Sequence, residues 1–213
     1  MEVKAIIPQS NPERLAYWYL RLNGFFLLEN FIIHPDQGVE QRTDVDLFGV
    51  RFRDRAENLD ITMEDEPLWT QTTTYVSVVI AEVKRGTCKL NGPWTNEPDK
   101  NMHRVLCAIG CFPKERIDEA AKGLYMTGAF SDGECICGLV AMGSAKGKLA
   151  IKKVPQVLFE DMIHFIHGRF QKYERQKASV GNWSVDGQEI ARKARNQSLE
   201  AFTVWCKSYF DLP

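Results

Sequence analysis

The chain has 213 residues, 44% of them hydrophobic and 26% charged, the proportions of a folded globular protein and not of a disordered tail. Its 28 acids and 27 strong bases nearly cancel. The net charge of -1 argues against a protein that coats nucleic acid with its whole surface, since that mode needs many phosphate contacts. No apolar run reaches the roughly 18 residues of a membrane helix.

The opening Met1–Pro8 stretch has an acid early and too short an apolar core for a signal peptide, so a cytoplasmic protein is expected. The length suits one well-buried domain, or a domain with a helical extension. Six cysteines, at 88, 107, 111, 135, 137 and 206, include no Cys-x2-Cys pair of a structural zinc site. They are expected to be small buried residues, because a free cysteine packs like a hydrophobe. His164 and His167 are too isolated from other ligand types to suggest a metal.

The first element is a helix. Ser10-Asn-Pro-Glu13 opens it, with Ser10 or Asn11 as cap and Pro12 in its first turn. Leu15, Trp18, Tyr19 and Leu22 recur at helical spacing, and Asn23-Gly24 closes it in a left-handed turn. Residues 25–34 then read as an apolar strand, ended at Pro35-Asp-Gln-Gly38, and 45–53 as a second. On the second, a period of two sends Val45, Leu47, Gly49 and Arg51 one way and Asp46, Phe48, Val50 and Phe52 the other. The acidic stretch 54–71 is a long connection or inserted excursion.

A third strand covers 75–85. Lys89–Trp94 is turn-rich, 98–110 and 113–125 are helical, and 135–142 is a fourth apolar strand. Leu149-Ala-Ile151 reads as a short strand, with Pro155 in the first turn of a helix to about 177. Asp186-Gly-Gln-Glu189 resembles a capping box that starts one last helix to about 209. Arg85, Lys89, Arg169, Lys172, Arg175, Lys177, Arg192, Lys193 and Arg195 could flank a groove for phosphates, but most of them read as solvated helix faces.

The third strand organises the rest. Tyr75, Val76, Val78, Val79 and Ile80 form a β-branched and aromatic run without proline, as an internal strand requires. Val78, Ile80, Glu82 and Lys84 share one side. A carboxylate and an ammonium two residues apart on a stiff strand end can hold a metal and steer a water. With 28 acids and 14 lysines, roughly two acid-x-Lys triplets arise by chance. The chain has two, Glu2-Val-Lys4 and Glu82-Val-Lys84, and only the second closes an apolar strand.

A helix acid (Glu13), an acid on the second strand (Asp46) and Glu82-x-Lys84 on the third, in the order helix, three strands, helix, strand, resemble the PD-(D/E)xK, or restriction-endonuclease-like, nuclease superfamily. The Holliday-junction-resolvase and Mrr-like branches look nearest. Val45 stands where the motif's name has proline, and no Gln-x3-Tyr signature follows the lysine strand, which argues against the RecB-like branch.

The resemblance spans roughly 10–143. It implies an α/β fold with a mixed central sheet and a nuclease core over 1–150; the C-terminal helices, 151–213, lie outside the resemblance and are expected to pack on that core as one compact domain. It implies that Asp46 and Glu82 ligate Mg2+ or Mn2+, that Lys84 positions or deprotonates the attacking water, and that Glu13 adds a fourth site residue. Two carboxylates suit a hard cation that keeps several waters. The implied activity is metal-dependent phosphodiester hydrolysis of nucleic acid, foremost as a DNA endonuclease. A homodimer, one subunit per strand, is a further implication.

Other readings stay open at this point. Asp44 could replace Asp46 as ligand, and Glu13 could serve only the helix start. The alternative function is a catalytically inactive nuclease-fold module that binds nucleic acid or another protein. A nucleotide-dependent enzyme ranks last, because no phosphate-binding glycine loop is present.

Overall fold

A computed structural model describes residues 11–34, 43–60 and 63–213. The leader reading of residues 1–8, Ser10 as a cap and the turn at 35–38 lie outside the described residues.

The chain folds as an α/β protein around a mixed open sheet. Strands β1 (Phe26–Ile33), β2 (Thr43–Phe52) and β3 (Val76–Val83) pair antiparallel in succession, and β5 (Cys135–Gly143) lies parallel to β3. The order is β1-β2-β3-β5-β4, with β4 (Ala129–Ser131) on one flank of β5 and β6 (Gln156–Leu158) pairing its end. The strand expected to be internal, β3, lies between β2 and β5. Its alternation feeds two cores: Val78 and Ile80 on one face, Val79, Ala81 and Val83 on the other.

Helices α3 (Asn101–Ile109) and α4 (Ile117–Thr127) form the crossover that a parallel pair such as β3–β5 needs. They cover the Ile80 face with Met102, Val105, Leu106, Ala121 and Leu124. The Val79 face takes α1 (Pro12–Leu22), the single turn α2 (Pro67–Thr70), α5 (Phe159–Lys172), α6 (Val185–Asn196) and α7 (Leu199–Tyr209), with Trp18, Trp69, Met162, Ile166, Phe170 and Phe202 in one apolar layer. Among the described residues no helix is long and apolar enough to cross a membrane.

Asn11 is the cap of α1, its side chain accepting from Arg14 N at 3.1 Å. At the other end Gly24, with φ +85°, makes the left-handed exit, and a Cβ there would collide with the Arg55 side chain.

Several expected elements shift. The short strand is β6 at 156–158, not 149–151, because the Pro155 carbonyl already accepts from Ala141 N at 3.0 Å and carries the chain into the ladder beside β5. Pro155 therefore precedes a strand, and α5 starts at Phe159 and ends at Lys172. The single last helix is two: Ser198 breaks it and caps α7, accepting from Ala201 N at 3.3 Å. Asp186 caps nothing; Ser184 holds the N-cap position of α6, and Asp186 accepts from Arg14 and Tyr209 instead. Cys107 is exposed, and Cys111 lies past the left-handed Gly110 that ends α3.

Arg169 and Lys177 are also not solvated. Both are buried in an ionic cluster that pins the 54–66 excursion to the helices. One oxygen of Asp65 accepts from Arg51 and Arg55, each at 2.9 Å, and the other from Arg169 at 2.6 Å. Glu57 pairs with Lys177 and Arg55. Arg51 also donates to the carbonyl of buried Asn23 at 3.0 Å.

Candidate active site

The site forms where β2 leaves β3. Their ladder ends at Leu47 and Ala81, while β3 stays paired to β5 as far as Val83 and Met142. Asp46 fills the gap: its Oδ2 accepts from Val83 N at 2.7 Å, in place of a ladder carbonyl. On the other flank the β1–β2 register skips the same position. Phe31 faces Val45 and Glu29 faces Leu47, and between them Asn30 takes φ +51°.

The strict alternation expected along β2 therefore fails at Asp46. Val45 joins the core under α3 and α4, whereas Leu47 joins the one under α1 and α5. A local irregularity of this kind re-aims a side chain and ends pairing, as β-bulges do. It brings Asp46 within reach of groups from both faces of the sheet.

From the α3–α4 face come Glu82 and Lys84. The Lys84 ammonium pairs with Glu82 Oε1, lies 3.7 Å from Asp46 Oδ2 and donates to the Val83 carbonyl at 3.2 Å. Glu82 is 2% exposed, so it does not sit on a strand end leaving the core, as the sequence suggested. Its second oxygen, Oε2, accepts from the indole Nε1 of Trp94 at 2.5 Å. Trp94 is a residue that the sequence reading missed; the Gly92-Pro93 before it marks only a turn. From the opposite face α1 brings Glu13. The next residue, Arg14, ties the helix start to Glu29 of β1 and to Asp186 of α6.

The electrostatics are those of acids crowded together. Burial raises the Glu13 carboxyl above its usual range and the Asp46 charge adds to this, while Lys84 works against it. Burial also raises Asp46, opposed by its bond from Val83 N and by Lys84. Glu82 is raised by burial and by Asp46, opposed by its bonds from Lys84 and Trp94. On Lys84 burial pulls downward, but Glu82 and then Asp46 outweigh it and leave the ammonium above the ordinary lysine range. Asp44, the alternative ligand, is exposed.

All four expected residues thus meet at one end of the sheet, but not on equal terms. Among the described residues no three His, Cys, Asp or Glu side chains gather closely enough to cage a cation by themselves. Asp46 and Glu82 form a two-carboxylate pair bridged by Lys84, and Glu13 stands further out. A hard divalent ion fits that donor set, since it takes oxygen ligands and completes its shell with water. Glu82 Oε1 is buried and its partner is the Lys84 ammonium, so an ion at this position would share that oxygen with Lys84.

Comparison with known proteins finds no matching family model, no similar curated protein and no similar solved structure.

Proposed function

We propose that the chain hydrolyses phosphodiester bonds in nucleic acid, as a Mg2+- or Mn2+-dependent DNA endonuclease of restriction-endonuclease-like design. The observation that carries the reading is the convergence of Asp46, Glu82 and Lys84 where β2 and β3 part, with both acids raised by burial. Two carboxylates sharing one ammonium, with Glu13 further out, are a cost to folding that a bound cation offsets, and such a cost is typical of functional sites.

In this reading Asp46 and Glu82 hold the cation. When bound, it would offset charge on the scissile phosphate and lower the pKa of a water beside it. Lys84, paired with Glu82 and 3.7 Å from Asp46 Oδ2, would orient the attacking water or take its proton. Glu13, whose carboxyl is raised, is placed to accept a hydrogen bond or a proton at the rim of the site. The non-catalytic alternative explains less. A surface that only binds phosphates gains nothing from burying acids in its centre, because they repel the ligand.

The test is nicking of plasmid and branched DNA with Mg2+ or Mn2+, against EDTA, by wild type and Glu82→Gln. Metal-dependent nicking that Glu82→Gln loses supports the reading. Nicking that survives Glu82→Gln would place the site elsewhere, and wild type that neither binds metal nor cuts would favour the binding module.

A further inference from the structure

We propose that Trp94 is a positioning residue for Glu82: by holding Oε2, it fixes the carboxylate and leaves Oε1 alone to face a divalent cation and Lys84. This rests on the metal-dependent reading above and adds a residue that no motif in the sequence assigns.

The geometry is closed on every side. Trp94 is 1% exposed and packs with Cys88, Leu90, Met102, Val105 and Leu106 under α3. Its backbone is set by a one-turn 3-10 helix, Gly92–Trp94, in which Trp94 N donates to the Asn91 carbonyl at 3.1 Å and Thr95 N to Gly92 at 2.9 Å. The segment leading to it is stapled to the end of β5, with Ser144 N donating to the Gly86 carbonyl at 2.7 Å and Cys88 N to Ala145 at 2.8 Å. The indole therefore cannot follow Glu82 if the carboxylate turns.

An indole nitrogen is a donor with no acceptor capacity, and buried donors are rarely left without a partner. Rotating Glu82 to present both oxygens to a cation would strand that N–H. The bond thus selects one-oxygen ligation by Glu82. The same logic holds in metal sites generally, where the partners of the ligands orient them, and losing one costs roughly 10- to 100-fold in metal affinity.

The full chain labelled with 15N at its indoles tests this, because its five tryptophans give five indole resonances. Trp94→Phe identifies one of them by its loss, and Glu82→Gln identifies the same one by a shift, should Trp94→Phe fail to fold. Mg2+ is expected to move that resonance more than the other four, and Mn2+ to broaden it first. In calorimetric titration Trp94→Phe is expected to bind Mn2+ roughly 10- to 100-fold more weakly while still melting in one cooperative transition, at a lower temperature. Its cleavage should return at high Mg2+, which a merely structural defect would not allow. Wild type that binds one Mn2+ while the Trp94 resonance stays sharp, or Trp94→Phe with wild-type affinity, would overturn this role and leave the nuclease reading intact. Wild type without metal binding would overturn both.

Discussion

Two buried ionic clusters in this molecule are built on opposite principles. Around Asp65, four cations (Arg51, Arg55, Arg169 and Lys177) share two carboxylates, and both oxygens of Asp65 are bonded to guanidinium groups at 2.6–2.9 Å. Around Asp46, two carboxylates share the ammonium of Lys84 with Glu13 further out, and burial pushes Glu13, Asp46 and Glu82 all upward. The first cluster uses ion pairs to pin an excursion onto helices. The second concentrates like charge at the one place where the sheet opens. Charge that is paired at one site and crowded at another points to structure in the first case and to a ligand in the second.

The contrast breaks most visibly at Asp65. Asp65→Asn takes the ion pair from Arg51 and leaves Arg55 and Arg169 with Glu57 alone among the described residues, at 3.4 and 3.9 Å, and breaking a buried pair costs about 3–5 kcal/mol. Urea unfolding should show that loss, with cleavage per folded molecule unchanged. A cost below about 1 kcal/mol would mean that the network is solvated.

Lys84→Met is expected next in size, at about 1–3 kcal/mol, since it strips Glu82 and Asp46 of their shared cation. Cleavage should vanish while Mn2+ binding remains, if the ammonium acts on water and not on the metal as proposed. Without Lys84 the two carboxyls titrate higher still, so the pH of half-maximal Mn2+ binding should rise. An unchanged pH profile would separate Lys84 from the acids.

Glu82→Gln should do the reverse of Asp65→Asn and leave the metal-free protein within about 1 kcal/mol of wild type at neutral pH, or slightly more stable. The sign follows from linkage. The folded Glu82 carboxyl lies above its ordinary 4.5, so the folded state holds the extra proton between the two values. Stability from that group is therefore present below pH 4.5 and lost as pH rises through the folded value. Melting between pH 4.5 and 7 in EDTA should fall less steeply for Glu82→Gln than for wild type. Replacement by Ala would be a poorer probe, since it leaves a hole in the core and orphans the Trp94 N–H.

Glu13→Gln is the smallest of these, a drop of roughly tenfold in cleavage with a stability change of a few tenths of a kcal/mol, because Asn11 and not Glu13 caps α1. Asp44→Ala should be milder still.

Much of this was legible in the sequence. Apolar periodicity marked α1 and the four main strands, and proline-free β-branched residues marked β3 as internal. The acid–lysine triplet at the end of β3 marked where Asp46, Glu82 and Lys84 come together. What escaped depended on tertiary pairing. Nothing local in Asn30 or Asp46 announces that their pair is missing from the β1–β2 ladder, so the face of Asp46 could not be read from a period of two. Arg169 and Lys177 carry the residue types of solvated helix ends, and only the return of Asp65 and Glu57 from about 100 residues upstream buries them. Trp94 looked like part of a turn, because its partner lies in another element.

The most direct measurement is a calorimetric Mn2+ titration of wild type beside Asp46→Asn, both as the full chain. The crowded carboxylates should bind one Mn2+ per chain and raise the melting temperature as occupancy grows. Asp46→Asn should melt near the metal-free wild type, with no Mn2+ binding and no response to the ion. Absence of binding in wild type, or equal binding by Asp46→Asn, would contradict the account.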